Sequence, residues 1–201
     1  MSNFIIISGS HRAEGESNHV GAWFRDVLAS RGHEAELLEL ADLNLPFWDE
    51  GMWGKDPLAA KWADLWAPVA AKLAAADGFV LIAPEYHGMA PSMLKNFLLL
   101  ASAKEVGHKA AMIVGVTSGL TNGAYPVMEL RGGSAKNNRL CWVPDHVIVR
   151  RAAEVLKTPE EDTDTANFAR YALTLLEDYT TALKHVRDAG HMDYKTYPFG
   201  M

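Results

Sequence analysis

The chain has one cysteine, Cys141, among its 201 residues, so no internal disulfide can form and the fold owes nothing to an oxidising compartment. Long hydrophobic runs are missing too. None approaches the about 20 apolar residues of a membrane helix. Phe4 to Ile7 is too short, and lacks the basic stretch before it, to be a secretory signal. Basic charge is scarce, with 19 Lys and Arg against 25 Asp and Glu and a net charge of −6. That balance argues against a dedicated nucleic-acid binder, and it requires any site for a phosphorylated ligand to be a local positive patch. The expectation is a soluble, cytoplasmic protein with neither nucleic acid nor membrane as partner.

Several catalytic signatures are absent as well. No G-x-x-x-x-G-K-S/T loop occurs, and no G-x-G-x-x-G follows a strand, which disfavours ATP hydrolysis and an NAD-binding Rossmann domain. Without H-E-x-x-H or paired cysteines, His11 and His19 read as surface histidines and no metal site is expected. No G-x-S-x-G occurs, and Ser118 in G-V-T-S-G has the wrong spacing for a nucleophile elbow. Cys141 beside Trp142 reads as a small buried hydrophobe, not a reactive thiol.

What the chain does have is regular alternation. Hydrophobic residues make up 49% and charged residues 22%, ordinary for a globular domain. Phe4 to Ile7 reads as a strand buried on both faces. A helix follows with Val20, Trp23, Phe24, Val27 and Leu28 on one stripe, closed by Arg31-Gly32. Glu34 to Leu40 is a second strand, and a loop from Asp42 to Asp56 holds Phe47, Trp48 and Trp53. Asp56-Pro57 predicts a helix start, with Leu58, Trp62, Leu65, Trp66, Val69 and Leu73 sharing a face and Pro68 kinking it. Gly78 to Ala83 and Lys109 to Val116 are apolar strands, each followed by a helix, the second from about Ala124 to Asn138. Val143 to Val149 is a fifth strand. The last helix carries Phe168, Ala172, Leu175, Leu176, Tyr179 and Leu183 on one face and ends at Gly190. One domain over residues 1–190 is expected, with a tail, 191–201, that lacks periodicity and is left either mobile or lying across a partner subunit.

Strand–helix alternation repeated five times predicts a parallel sheet covered on both faces. Ligands then sit beyond the carboxyl ends of the strands, where strand order reverses. Three polar loops fall at that edge. The first, S-G-S-H-R-A-E-G-E-S-N from Ser8 to Asn18, runs from a strand into a helix N-terminus, where unpaired N–H groups and the helix dipole favour an anion. Hydroxyls and the Arg12 guanidinium would add charge-assisted hydrogen bonds. Gly and Ser are also common in any strand-to-helix turn, so on this loop alone phosphate binding and an ordinary turn stand level.

The second loop separates the two readings. P-E-Y-H-G-M-A-P-S-M-L-K-N, Pro84 to Asn96, taken with Gly9-Ser10-x-Arg12, Ser17-Asn18 and the third loop T-S-G-L-T-N-G, resembles the NAD(P)H-dependent FMN reductase family of flavodoxin-like proteins. The likeness runs through about the first 150 residues in order and spacing. It implies a flavodoxin-like three-layer α/β sandwich with a five-stranded parallel sheet, order 2-1-3-4-5, and helices on both faces. It further implies that Ser10, Arg12, Ser17 and Asn18 bind the FMN phosphate. Pro84, Glu85, Tyr86 and His87 would run along the isoalloxazine ring, and Thr117, Ser118 and Gly119 would close the other side. NADPH or NADH would pass a hydride to FMN, which needs no acid–base residue, and electrons would leave to free flavin, a quinone or a similar small acceptor. A homodimer or homotetramer is implied, with the helix from Met93 to Leu100 as a contact. A carrier taking electrons from a protein partner is the competing reading. Two positions depart from the family pattern. His87 stands where Asn is usual, placing a titratable side chain, and so a candidate proton donor, near the ring. Asn122-Gly123 replaces Gly-Gly, which weakens the expectation of close backbone approach.

Overall fold

A computed structural model of the chain describes residues 1–54 and 59–200. The expected helix start at Asp56-Pro57, and Leu58 with it, lie outside the described residues. Parallel strands β1 (Asn3–Ser8), β2 (Glu34–Glu39), β3 (Gly78–Pro84) and β4 (Ala110–Val116) align in the order β2-β1-β3-β4. Helix α1 (Glu16–Ser30) crosses from β1 to β2, and the short α2 (Leu40–Leu43) follows β2. Then come α3 (Ala59–Leu65), α4 (Ala67–Ala75), and, after β3, α5 (Ser92–Leu100) and α6 (Ala103–Val106). Helix α7 (Tyr125–Gly133) follows β4. β5 (Cys141–Trp142) and β6 (Val147–Val149) occupy the fifth sheet position, before the long α8 (Asp164–Asp188). The sheet is that of a flavodoxin-like fold, order 2-1-3-4-5.

Alternation within the strands builds two cores. Ile5, Ile7, Phe79, Leu81 and Ile113 point to one face, against Trp62, Trp66, Leu73, Leu94 and Phe97. Phe4, Ile6, Val80, Ile82, Met112 and Val114 point to the other, against α1 and α8. Because both faces are covered, the strands read as unbroken apolar runs and not as alternating ones.

Four expectations need correction. The fifth strand does not run unbroken through Val143 to Val149: β5 and β6 pair with opposite ends of β4, and Pro144 lies between them. Proline has no N–H to give the ladder, so the strand breaks there. The helix expected from Ala124 to Asn138 stops at Gly133, where Gly132-Gly133 withdraws helix propensity. The interruption expected at Pro68 is present and divides the segment into α3 and α4, but Leu65 is half-exposed, off the buried face of Trp62, Trp66, Val69 and Leu73. On α8 the buried stripe is Ala166, Ala169, Ala172, Leu173, Leu176 and Thr180, while Phe168 and Tyr179 face solvent. Small residues let this helix lie close on the sheet, and the aromatics were the misleading cue.

The tail lies on its own chain. Tyr194 stacks parallel to His108, Arg139 sits 4.8 Å from the Tyr194 ring, and Arg139 donates to the carbonyls of Tyr197 and Phe199. The aromatic loop is docked by Asn96, which accepts from the Trp48 amide (3.0 Å) and donates to the Pro46 carbonyl (2.9 Å). Asp49 accepts from the Trp62 indole (2.8 Å). Phe47 points out, 76% exposed.

Candidate functional site

Strands β1, β3 and β4 are parallel and in register at their carboxyl ends, with Ser8 beside Ile82 and Pro84 beside Val116. Their following loops therefore leave the sheet at one edge. Gly9 still donates to Ile82 O (2.9 Å), and a side chain there would meet that carbonyl at 2.8 Å and Leu94 at 2.9 Å, so only glycine lets the first loop turn this tightly over β3. Ser10 is buried. Its Oγ accepts from the Arg12 amide (3.0 Å) and lies 3.1 Å from the Tyr86 hydroxyl. The Arg12 side chain is exposed. Ser17 is buried in the first turn of α1, and the Gly15 N-cap offers no side-chain acceptor, so the helix's leading N–H groups are uncapped.

Asn18 is placed differently from its neighbours. Its Oδ1 accepts from Ser8 Oγ (2.6 Å), and its Nδ2 donates to Ala13 O (3.0 Å) and to the Glu39 carboxylate. Both amide hydrogens are taken up inside the protein, and the side chain ties the loop to β1 and β2. Ser8 and Glu39 are partners the sequence did not single out.

The second loop folds back as a two-residue hairpin. Tyr86 and Met89 exchange backbone hydrogen bonds (3.1 and 3.0 Å) across His87 and Gly88, whose φ angles are +52° and +73°. A turn with both central residues left-handed is the one that Asn-Gly serves best, and His is among the few other residues that enter this region readily. The His87 position is thus constrained by its backbone, and its side chain is exposed. The Tyr86 ring packs against His11, centroids 4.8 Å apart. Ala90 donates to Glu129 Oε2 (2.6 Å), and Lys95 donates to Glu129 Oε1 (2.8 Å). The Lys95 ammonium holds the Glu129 carboxyl below its ordinary pKa, so it stays an acceptor for this loop. Glu129 lies far along the chain in α7, and nothing in its local sequence marked it.

The third loop is fastened on two sides. Thr117 donates from its amide to Val149 O (2.9 Å) and accepts from Ala152 N (3.1 Å), while its Oγ1 accepts from Gly119 N (3.1 Å). Gly119 O accepts from the Arg151 amide, and Ser118 is exposed. Glu85 reaches across from the second loop, its Oε2 accepting from Gly123 N (2.7 Å). The loop's backbone also lies close on its own strand: a side chain on Gly115 would lie 2.1 Å from Gly123 O. Gly123 itself has φ +105°, and a side chain there would strike Ile148 at 2.6 Å.

The arrangement is one polar edge made of three mutually bonded loops, Ser10 to Tyr86 and Glu85 to Gly123. It has uncapped helix N–H groups and a free guanidinium at the β1 end, and a backbone hairpin over the middle. Cys141 is not part of it; it is half-buried near the opposite edge, and burial pushes its thiol pKa up. His19 pairs with Glu16 (2.7 Å) on the outer side of α1. Among the described residues no cluster of three metal-ligating side chains occurs, and no helix is long and apolar enough to cross a membrane.

The fold and this edge define a flavodoxin-like α/β protein with a mononucleotide-type ligand edge. The NADPH-dependent FMN reductase family matches residues 2–154, and the chain belongs to that family. Among curated relatives, an NADPH azoreductase from Bacillus sp. (strain OY1-2) is 31% identical over 131 residues, 65% of this chain and 67% of that protein. The NAD(P)H-dependent FMN reductase ntnL from Nectria sp. is 33% identical over 104 residues, 48% of this chain and half of that protein. Among solved structures, the NAD(P)H:(acceptor) oxidoreductase FerB from Paracoccus denitrificans superposes with a TM-score of 0.68 at 16% identity, covering 92% of this chain and 98% of that one. An FMN-dependent NADH-azoreductase from Bacillus anthracis, solved with FMN, superposes at 0.55 and 16% identity, covering 92% and 99%. These structural matches carry the fold.

Proposed function

We propose that the chain binds FMN along the linked loops and catalyses NAD(P)H-dependent reduction of a small acceptor such as free flavin, a quinone or an azo compound. The observation that carries this reading is the bonding of the three loops to one another, Ser10 to Tyr86 at 3.1 Å and Glu85 to Gly123 at 2.7 Å. It turns separate motifs into one preorganised edge. The residues fit the group. The uncapped start of α1, with Ser10, Ser17 and Arg12, suits a phosphate; the hairpin from Tyr86 to Met89 presents backbone along a flat ring; Thr117 to Gly119 bounds the far side. Asn18 is better assigned to holding the phosphate loop than to the phosphate, since its amide hydrogens are already engaged.

The chemistry FMN supplies when bound is two-electron transfer between NAD(P)H and an acceptor. The protein's share is to bind, orient and stabilise charge. The N–H groups of His87, Gly88 and Ser118, which the loop bonds above leave free, would favour negative charge at the ring's polar edge without reorganising as it develops. No acid or base is required.

The test is the visible spectrum of protein incubated with FMN, desalted, and then treated anaerobically with NADPH and with NADH. Retained flavin that bleaches with either dinucleotide is the expected result. Retained flavin that stays yellow with both would move the protein to the electron-carrier class.

A further inference from the structure

Arginines at the carboxyl edge differ from those elsewhere in the molecule. Seven of the chain's nine arginines place terminal nitrogens on carboxylates or backbone carbonyls, as Arg187 does on Asp77 and Arg170 on Pro159 O and Glu161 O. Among the described residues, Arg12 and Arg150 are the two whose terminal nitrogens engage no protein group. Arg12 stands after β1, where the FMN phosphate is placed. Arg150 follows β6, three strand spacings or about 14 Å across the sheet from β1, so the two arginines stand at opposite ends of the ligand edge.

Arg150 is oriented, though not neutralised. Its Nε donates to Asn122 O (3.2 Å), which fixes the guanidinium beside the third loop and leaves its outer fork open. It lines a cleft of about 400 Å³ with Pro144, Asp145, His146, Ile148 and Phe168. Phe168 is 44% exposed and offers an aromatic face, and Asp145 offers an acceptor for hydroxyls. Burial and the nearby Arg131 hold the His146 pKa below its ordinary value, so its ring adds no cation near neutral pH. A guanidinium fork, a hydroxyl acceptor and an aromatic face match a phosphate, a ribose and a base.

We propose that this cleft receives the adenosine-phosphate half of the hydride donor, with Arg150 gripping one of its phosphates. The proposal rests on the FMN-reductase reading above. It places donor recognition at β6, beyond the flavin and opposite the FMN phosphate. Arg150 is then a binding residue, and the phosphate it takes is either the 2′-phosphate or the pyrophosphate.

Steady-state kinetics of FMN-loaded wild type, Arg150→Ala and Arg150→Lys with NADPH and NADH test it, together with inhibition by adenosine 2′,5′-bisphosphate and by ADP. Arg150→Ala is expected to raise the donor KM about tenfold, more than it lowers kcat, and to weaken inhibition in parallel. Arg150→Lys should recover part of both, because it keeps the charge. Loss confined to NADPH and the bisphosphate assigns the 2′-phosphate; equal loss with NADH and ADP assigns the pyrophosphate, and either supports the proposal. Unchanged KM and inhibition constants in Arg150→Ala would overturn it. So would a fall in kcat and flavin retention that Lys does not repair, since Arg150 would then act only by holding Asn122. A wild type that keeps FMN but is bleached by neither dinucleotide refutes the parent reading. A bleached wild type with indifferent Arg150 variants refutes this one alone.

Discussion

The two ends of the sheet handle charge in opposite ways. At the amino end, charges are wholly or partly buried and each is engaged by the protein, although Arg139 Nη1 is buried without a partner. Lys109 Nζ donates to Leu73 O (2.7 Å) and Ala74 O (2.8 Å), closing the carboxyl end of α4, and lies 5.9 Å from the Phe79 ring centroid. Arg187 joins His108 O to Asp77, and Arg139 holds the tail. At the carboxyl end the loops are fastened by hydroxyls, backbone amides and three carboxylates, Glu39, Glu85 and Glu129, and two guanidiniums are left open to solvent. One end uses charge to tie the chain together. The other joins its loops mainly by hydroxyl and side chain-to-backbone bonds, with the Lys95–Glu129 ion pair behind the second loop, and leaves two guanidiniums with open forks.

The contrast can be broken in order of severity. Gly115→Ala should do most damage, costing about 2–3 kcal/mol in urea denaturation and abolishing flavin retention, because the new methyl must displace the Gly123 backbone. Lys109→Met should cost about 1–3 kcal/mol by leaving Ala74 O without this donor and Leu73 O with only the long bond from Ala76 N (3.3 Å), yet leave FMN affinity as in wild type. Loss of FMN affinity there would show the ends to be coupled.

Lys109 also predicts a pH dependence. Burial, assisted by Arg187, lowers its pKa from 10.5 to about 8. Between those values the unfolded chain holds a proton that the folded chain releases, so this group's effect on stability improves as pH rises from about 8 to 10.5. Below about 8 the penalty for burying the ammonium is fully present. The neutral amine still has two N–H donors for the two carbonyls. Urea midpoints across this range should lose that rise in Lys109→Met.

At the carboxyl end, Glu85→Ala should weaken FMN binding about tenfold by leaving Gly123 N–H unpaired, and Tyr86→Phe about fivefold through the lost Ser10 contact, as read by fluorescence titration. Global stability should move by less than about 1 kcal/mol in each. Equal losses of stability and affinity would mean these bonds hold the fold and do not specifically shape the edge. The smallest effect is expected at His87. His87→Asn should raise stability by about a few tenths of a kcal/mol and leave the pH profile of reductase activity in place, whereas His87→Val should cost about 1 kcal/mol or more. A pH profile that shifts in His87→Asn would restore the titrating role that the motif suggested.

Much of this was legible in advance where the signal is local. The strand from Phe4, the α1 stripe and the three loops follow from apolar period and from glycine and proline at turns. Failures came where a residue's surroundings lie far along the chain. Phe168 and Tyr179 looked like core because aromatics usually are, but the close packing of α8 on the sheet favoured alanines. Asn18 read as a phosphate ligand because its motif sits in the loop; its partners, Ser8 and Glu39, meet it only after β2 is laid beside β1. His87 read as a chemical departure, although the hairpin asks of that position only a left-handed backbone.

By itself, the sequence determined the strand–helix alternation, the edge at which a ligand must sit and the motifs whose resemblance to the FMN reductases implied the sheet order. These depend on periodicity and on residue types a few positions apart. Only the tertiary structure decided which hydrogen bonds those motif residues keep for the protein and which they leave for a ligand. Glu85 and Asn18 are engaged within the chain, while Arg12 and Arg150 keep open forks. A donor is free or engaged according to what folding brings within hydrogen-bond distance of it, and that distance is set by packing between segments up to 146 residues apart.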